Sequence, residues 1–140
     1  MKIGHSKSAA TTPAFALIAE GWNDLVQSGM TPDADGASPI NAKTQVLYLE
    51  EDDGEIVAVL CFKRAGARVK IVLSYVEETS RRRGYYRMLW ESLIVQCQTL
   101  GVQRVTAEVH PANDTMHAVM RHLERPLTGL VYEKLLLPPA

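Results

Sequence analysis

Apolar residues change their spacing along this 140-residue chain, and the changes divide it into alternating strands and helices. Lys2 to His5 reads as a short first strand. In "TTPAFALIAEGWNDLV", Thr12 suits an N-cap and Pro13 a first helical position, and Phe15, Ile18, Trp22 and Leu25 fall on one helical face. Gly21 weakens that helix. From Gln27 to Lys43 the chain is rich in Gly, Pro, Asp and Ser and reads as a long loop, a length often tied to function in compact domains.

Three strand-like runs follow. "TQVLYLEE" and "EIVAVLCFKR" flank the turn "DDGE", and "AGAR" leads into "VKIVLSYV". Ile56 to Leu60 and Ile71 to Val76 are nearly unbroken in apolar residues, as in strands covered on both faces. Gly84 opens a second helix with Tyr86, Leu89, Leu93, Cys97 and Leu100 on its buried face, and Gly101 closes it. "VQRVTAEVH" is the next strand. Asn113 or Asp114 caps a third helix that buries Met116, Val119, Met120 and Leu123, and "GLVYEKLLL" forms a last strand. Helices between strands at both ends of a three-strand meander predict an α/β fold, a mixed sheet with helices on both faces. The helix between Val76 and Val102 predicts that the strands it joins are parallel neighbours in a right-handed crossover.

Composition narrows the classes. With 46% apolar and 22% charged residues, the chain is an ordinary globular one, and its length fits one domain over residues 1–140. A net charge of −1 argues against general nucleic-acid binding. No apolar run is long enough to span a membrane, and the first residues, "MKIGHSKSAATTP", lack a signal peptide's apolar core. Cys61 and Cys97 sit in apolar segments without metal-ligand spacing, as free thiols of a cytoplasmic protein would.

Candidate chemistry concentrates in "SRRRGYYRML", Ser80 to Leu89. A solvated charge run ahead of a helix is one reading. The other is a phosphate cradle: unpaired amides and a partial positive charge at the helix mouth, a glycine that lets a ligand approach the backbone, and cationic field from Arg81, Arg82, Arg83 and Arg87. The strand before it and the strand and helix after it favour the cradle.

From Ile71 to Leu123 the chain resembles the core of the GNAT superfamily of N-acetyltransferases, with Arg81, Gly84 and Tyr86 at the positions of that family's Arg/Gln-x-x-Gly-x-Gly/Ala signature. The first half agrees in the order of its elements. The resemblance implies a single domain whose sheet is mixed and mostly antiparallel, with a splayed parallel pair of fourth and fifth strands. It implies acetyl-CoA as co-substrate, its diphosphate held at Arg81, Arg82, Arg83, Gly84, Tyr85 and Tyr86, and its pantetheine arm running beside Val76 and touching Asn113. Tyr86 departs from the signature's Gly or Ala, and helical phasing turns it to the buried face. The tyrosine that many members use to protonate the departing thiolate is matched here by Met120. Tyr75, Tyr85 or Tyr132 are the replacements, solvent being the other source of a proton.

Glu108 and His110 share a face of their strand and are the first candidates for a base, with solvated strand-end residues as the alternative. Glu77 and Glu78 lie just past the other strand. Trp22, Asp24, Asp33 and Asp35 are the substrate-side candidates, because the family's first helix and following loop select the acceptor. The expected reaction is direct transfer of acetyl to a primary amine, of a small molecule or a protein, without metal or covalent intermediate. A CoA-binding regulatory or assembly module is the competing expectation, and a small nucleic-acid binder a more remote one. The apolar segment "GLVYEKLLL" reads as an exposed edge through which a homodimer forms.

Overall fold

The computed structural model describes residues 1–31, 38–108, 112–122, 127–128 and 131–136. In chain order the elements are β1 (Lys2–Ser6), α1 (Phe15–Gln27), β2 (Gln45–Glu50), β3 (Ile56–Ala65), β4 (Arg68–Val76), a turn of 3-10 helix (Glu78–Ser80), α2 (Tyr85–Thr99), β5 (Arg104–Glu108), α3 (Asp114–His122), β6 (Leu127–Thr128) and β7 (Val131–Leu135). They form one seven-stranded sheet in the order β1-β2-β3-β4-β5-β7-β6, in which only β4 and β5 are parallel. The mixed, mostly antiparallel sheet and its parallel fourth and fifth strands agree with the expectation from sequence.

Each face of the sheet carries a core. On one, α2 and α3 cover Leu47, Leu49, Leu60, Val69, Ile71 and Val105, with Leu89, Trp90, Leu93 and Met120 supplied by the helices. On the other, α1 covers Val46, Val59, Cys61 and Leu73 with Leu17 and Ile18. Residues Val57 to Phe62 are all buried, and from Ala58 to Phe62 alternate side chains enter the two cores in turn, which explains the unbroken apolar run of β3. Both cysteines are free and buried, and burial pushes the Cys61 thiol up to about 12 and the Cys97 thiol to about 11.

Several boundaries differ from the sequence reading. The first helix starts at Phe15, with Ala14 in the cap position and Pro13 outside it. Thr12 acts one step earlier, its Oγ1 accepting the Ala14 amide at 3.3 Å and the Ser6 hydroxyl at 2.9 Å. Phe15 is 61% exposed, because the buried stripe runs through Leu17, Ile18 and Gly21, with Trp22 and Leu25 beside it. Leu100, the residue just after α2, is likewise exposed, and Trp90 is buried on that helix. Gly101 does end α2 as expected: its amide reaches the Gln98 carbonyl, the Val102 amide reaches that of Cys97, and its φ of 74° is the left-handed value this terminus needs. The predicted last strand contains β7, which β5 flanks on one side, while the preceding β6 pairs with Val131 and Tyr132 on the other.

Gly21 has a packing role that helix propensity hides. A Cβ there would lie 2.7 Å from Cβ and Cγ of Tyr75, so α1 approaches β4 closely only because this residue has no side chain. Gly21→Ala, which raises helix propensity, is therefore expected to lower stability by about 1–3 kcal/mol through overpacking. Urea unfolding of the two proteins checks the sign.

Candidate functional site

The site begins with one residue too many. In the pairing of β3 with β4, Phe62 opposes Ile71 and Cys61 opposes Leu73, so Val72 is a bulge. Ile71 and Leu73, two apart, would ordinarily share a face; here Ile71 enters the α2-side core and Leu73 the α1-side core. The parallel ladder with β5 stops at the same place: its last pair is Ile71 with Ala107, and Val72 and Glu108 do not pair with each other. Beyond it β4 follows β3 alone. The Glu77 amide donates to the Val57 carbonyl at 2.8 Å and Val59 opposes Tyr75, so alternation turns the backbone polar groups of Ser74 and Val76 away from β3, toward the gap. A cleft of about 80 Å³ opens there, lined among others by Leu73, Ser74, Ala107, Glu108, Asn113 and Met120.

The end of β4 leads into the mouth of α2. Arg82 and Gly84 both adopt left-handed backbone, with φ of 65° and 77°. Left-handed residues in a turn can aim neighbouring amides into one concavity, a form suited to anions. A Cβ at Gly84 would meet nothing within 4 Å, so the space in front of this turn is open. No side chain caps α2, and its first turn has no acid. The contrast is α3, where Asn113 Oδ1 accepts the Met116 amide at 3.1 Å and Asp114 supplies negative charge. The α2 terminus thus offers its first amides and its dipole to an external anion.

The arginines divide their work. Arg81 is committed to the protein: its Nε donates to the Val76 carbonyl at 3.0 Å and its guanidinium lies 5.4 Å from the centroid of the Tyr75 ring. Arg87 pairs with Glu91 one helical turn on, at 3.0 Å. Arg82 and Arg83 are exposed and make no ion pair among the described residues, so they carry the cationic field at the mouth. Tyr85 and Tyr86 are half-buried against the α2-side core, and the Tyr86 hydroxyl accepts from Ser74 Oγ at 3.4 Å, on the cleft.

Of the catalytic candidates, Glu108 lines the cleft and is ion-paired with Lys70 at 3.2 Å. His110 lies outside the described residues, as do Asp33 and Asp35. Tyr75 projects to the α1 side of β4, where its hydroxyl donates to Glu20 Oε1 at 3.5 Å. Burial first, and then Glu20, hold its phenol above the ordinary value. Asp24 is exposed on α1 and acts on Tyr75 in the same direction, whereas Trp22 packs against the α1-side core. Met120 is buried and forms part of the cleft wall. Sequence reasoning missed Ser74 and Glu20. Ser74 is placed by the bulge, which leaves no trace in composition, and Glu20 by the close approach at Gly21.

A profile of the Acetyltransferase (GNAT) family matches residues 17–124. The chain belongs to that family. No curated protein sequence matches it. Solved structures give the same fold for this GNAT chain at low identity: Tetrahymena GCN5 has a TM-score of 0.72 at 10% identity, covering 100% of this chain and 99% of the other. A phosphinothricin acetyltransferase from Sinorhizobium meliloti, solved with AcCoA, has 0.70 at 14%, with 97% and 89% covered. A ribosomal-protein-alanine N-acetyltransferase from Brucella melitensis has 0.68 at 16%, with 97% and 100% covered. Gly84 combines a left-handed φ of 77° with open space in front of it. Gly84→Ala should cost about 1 kcal/mol from backbone conformation alone, without a clash. Chemical denaturation checks this, and a loss above roughly 3 kcal/mol would instead reveal a packing role.

Proposed function

We propose that the protein is an N-acetyltransferase that moves an acetyl group from acetyl-CoA to a primary amine by direct attack in a ternary complex. The observation that carries the reading is the coincidence at one end of β4: the bulge at Val72, the end of the β4–β5 ladder, and the uncapped α2 terminus lie within one stretch of chain. The amides from Arg83 to Tyr86, with Arg82 and Arg83 beside them, would hold the diphosphate. The outward backbone groups of Ser74 and the Val76 amide would pair with the pantetheine arm, the Val76 carbonyl being held by Arg81, and Asn113, whose Oδ1 caps α3, would offer it the amide nitrogen.

In the transfer, the amine nitrogen forms a bond to the acetyl carbon as the carbon–sulfur bond breaks. The nitrogen gives up a proton and the sulfur gains one. Glu108 and His110 are the proposed acceptors of the first proton, and the Glu108 carboxylate lies 3.2 Å from the Lys70 ammonium. Tyr75, its phenol held protonated, is the proposed donor on the α1 side, where Glu20 and Asp24 would attract a cationic acceptor. An amide of β4 at the gap would stabilise the thioester oxygen. A cytoplasmic location goes with this use of acetyl-CoA. Self-association, if it uses the C-terminal strand, would use β7 beyond Tyr132, where β6 no longer pairs.

A second reading rests on Met120, which puts an apolar side chain where many members have a proton-donating tyrosine. On that reading the domain binds CoA without turning it over. Thiol release from acetyl-CoA across a panel of polyamines, amino acids and peptides separates the two: amine-dependent release supports the enzyme, and CoA binding without release on any amine supports the binding module. For either, replacing Arg82 and Arg83 together by Ala should weaken CoA binding about tenfold at low salt, with the gap narrowing as salt rises. Calorimetric titration at two salt concentrations measures it.

A further inference from the structure

Tyr75 is held at its base, its face and its tip. The backbone of α1 lies against the base: a Cβ at Gly21 would stand 2.7 Å from Cβ and Cγ of the tyrosine. At the tip the hydroxyl donates to Glu20 Oε1 at 3.5 Å, from the neighbouring residue of the same helix. Over the ring lies the guanidinium of Arg81, 5.4 Å from the centroid. Arg81 is itself tied down, its Nε donating at 3.0 Å to the carbonyl of Val76, the last residue of β4. An aromatic side chain held in this way keeps little rotamer freedom.

These contacts fix where Arg81 points. Tyr75 packs with the α1-side core, whereas α2 covers the opposite face of the sheet. A guanidinium over that ring has turned back to the α1 face, away from the amides that open α2. A planar, delocalised cation suits an aromatic face, and its bond to the strand-end carbonyl sets its orientation. Arg82 and Arg83 stay exposed at the mouth.

The charges around the phenol oppose one another. Burial does most to keep its proton on, Glu20 and Asp24 of α1 add to that, and Arg81 of the turn works against them. On the adjoining β3 the residue opposite is the uncharged Val59.

We infer that Arg81 is a positioning residue for the Tyr75 phenol and not a ligand of the diphosphate, with Glu20 as its counterpart at the tip of the ring. The placement stands on these contacts; its consequence for acetyl transfer rests on the function proposed above. In that step the electrons of the carbon–sulfur bond stay on sulfur and the phenol proton passes to it. The phenolate left behind lies beside the Arg81 cation until solvent returns a proton.

The test labels the full chain with 3,5-difluorotyrosine, whose fluorines bring phenol ionisation into a range the fold withstands, and follows the rings by fluorine NMR against pH. Tyr75→Phe identifies the Tyr75 signal. Arg81→Gln should raise the Tyr75 midpoint and Glu20→Gln should lower it. A merely structural loss would loosen the packing, wet the phenol and lower the midpoint, so the sign separates the two roles. By calorimetry Arg81→Gln should keep CoA affinity within about twofold at low salt, where the Arg82, Arg83 double replacement loses about tenfold. Arg81→Lys retains the cation and guards against a folding failure: its midpoint and its CoA affinity should both stay near those of the parent. An unmoved or lowered midpoint in Arg81→Gln overturns the inference, and so does a tenfold loss of CoA affinity in either Arg81 variant. Both readouts are made without turnover, so they hold or fail separately from the proposed enzyme. With turnover, Arg81→Gln should lower kcat several-fold, leave KM for acetyl-CoA unchanged and move the alkaline fall of kcat to higher pH.

Discussion

One extra residue in β4 organises this molecule. Without Val72, the register that joins Phe62 to Ile71 would continue, β4 would keep the same face toward α2 throughout, and its ladder with β5 would have no reason to stop. The bulge turns Leu73 and Tyr75 toward α1 and Ser74 toward α2. It also leaves the gap side of β4 with backbone groups that the sheet does not use. Buried backbone polar groups need partners, so such a gap is costly unless water or a ligand fills it.

The surrounding packing keeps the gap in position. Gly21 lets α1 press against Tyr75, and Arg81 reaches back over the same ring to the Val76 carbonyl, fixing the turn to the end of its strand. That turn then holds Arg82 and Gly84 in left-handed backbone and presents α2 without a cap. For Arg82, a residue with a Cβ, this conformation costs of order 1 kcal/mol, a strain that the Arg81 anchor helps sustain. Fold and site are therefore coupled through a few contacts at one strand end.

Much of this was legible in the sequence, and the failures have physical causes. Period-two and helical spacing placed the strands and helices because both faces of the sheet are buried and α2 presents a single stripe. Gly84 and Asn113 were legible because a helix entrance and a helix cap each demand particular residue types. Phe15 and Leu100 misled, since residues at helix ends can continue the spacing of a buried stripe and still lie beyond the core. The bulge was invisible: Ile71 to Val76 is apolar on both faces, so a one-residue slip leaves the pattern unchanged. The pairing of Glu108 with Lys70 was equally hidden, because it depends on the register of two parallel strands.

Residue-resolved hydrogen exchange, without and with CoA, tests the central claim most directly. In the free protein the amides of Ser74, Val76 and Tyr85 should exchange much faster than those of Val69 and Leu60, and CoA should slow those three selectively. If Ser74 and Val76 are already as protected as Val69 in the free protein, or if CoA protects a different part of the chain, then the bulge does not create the binding gap and the account is wrong.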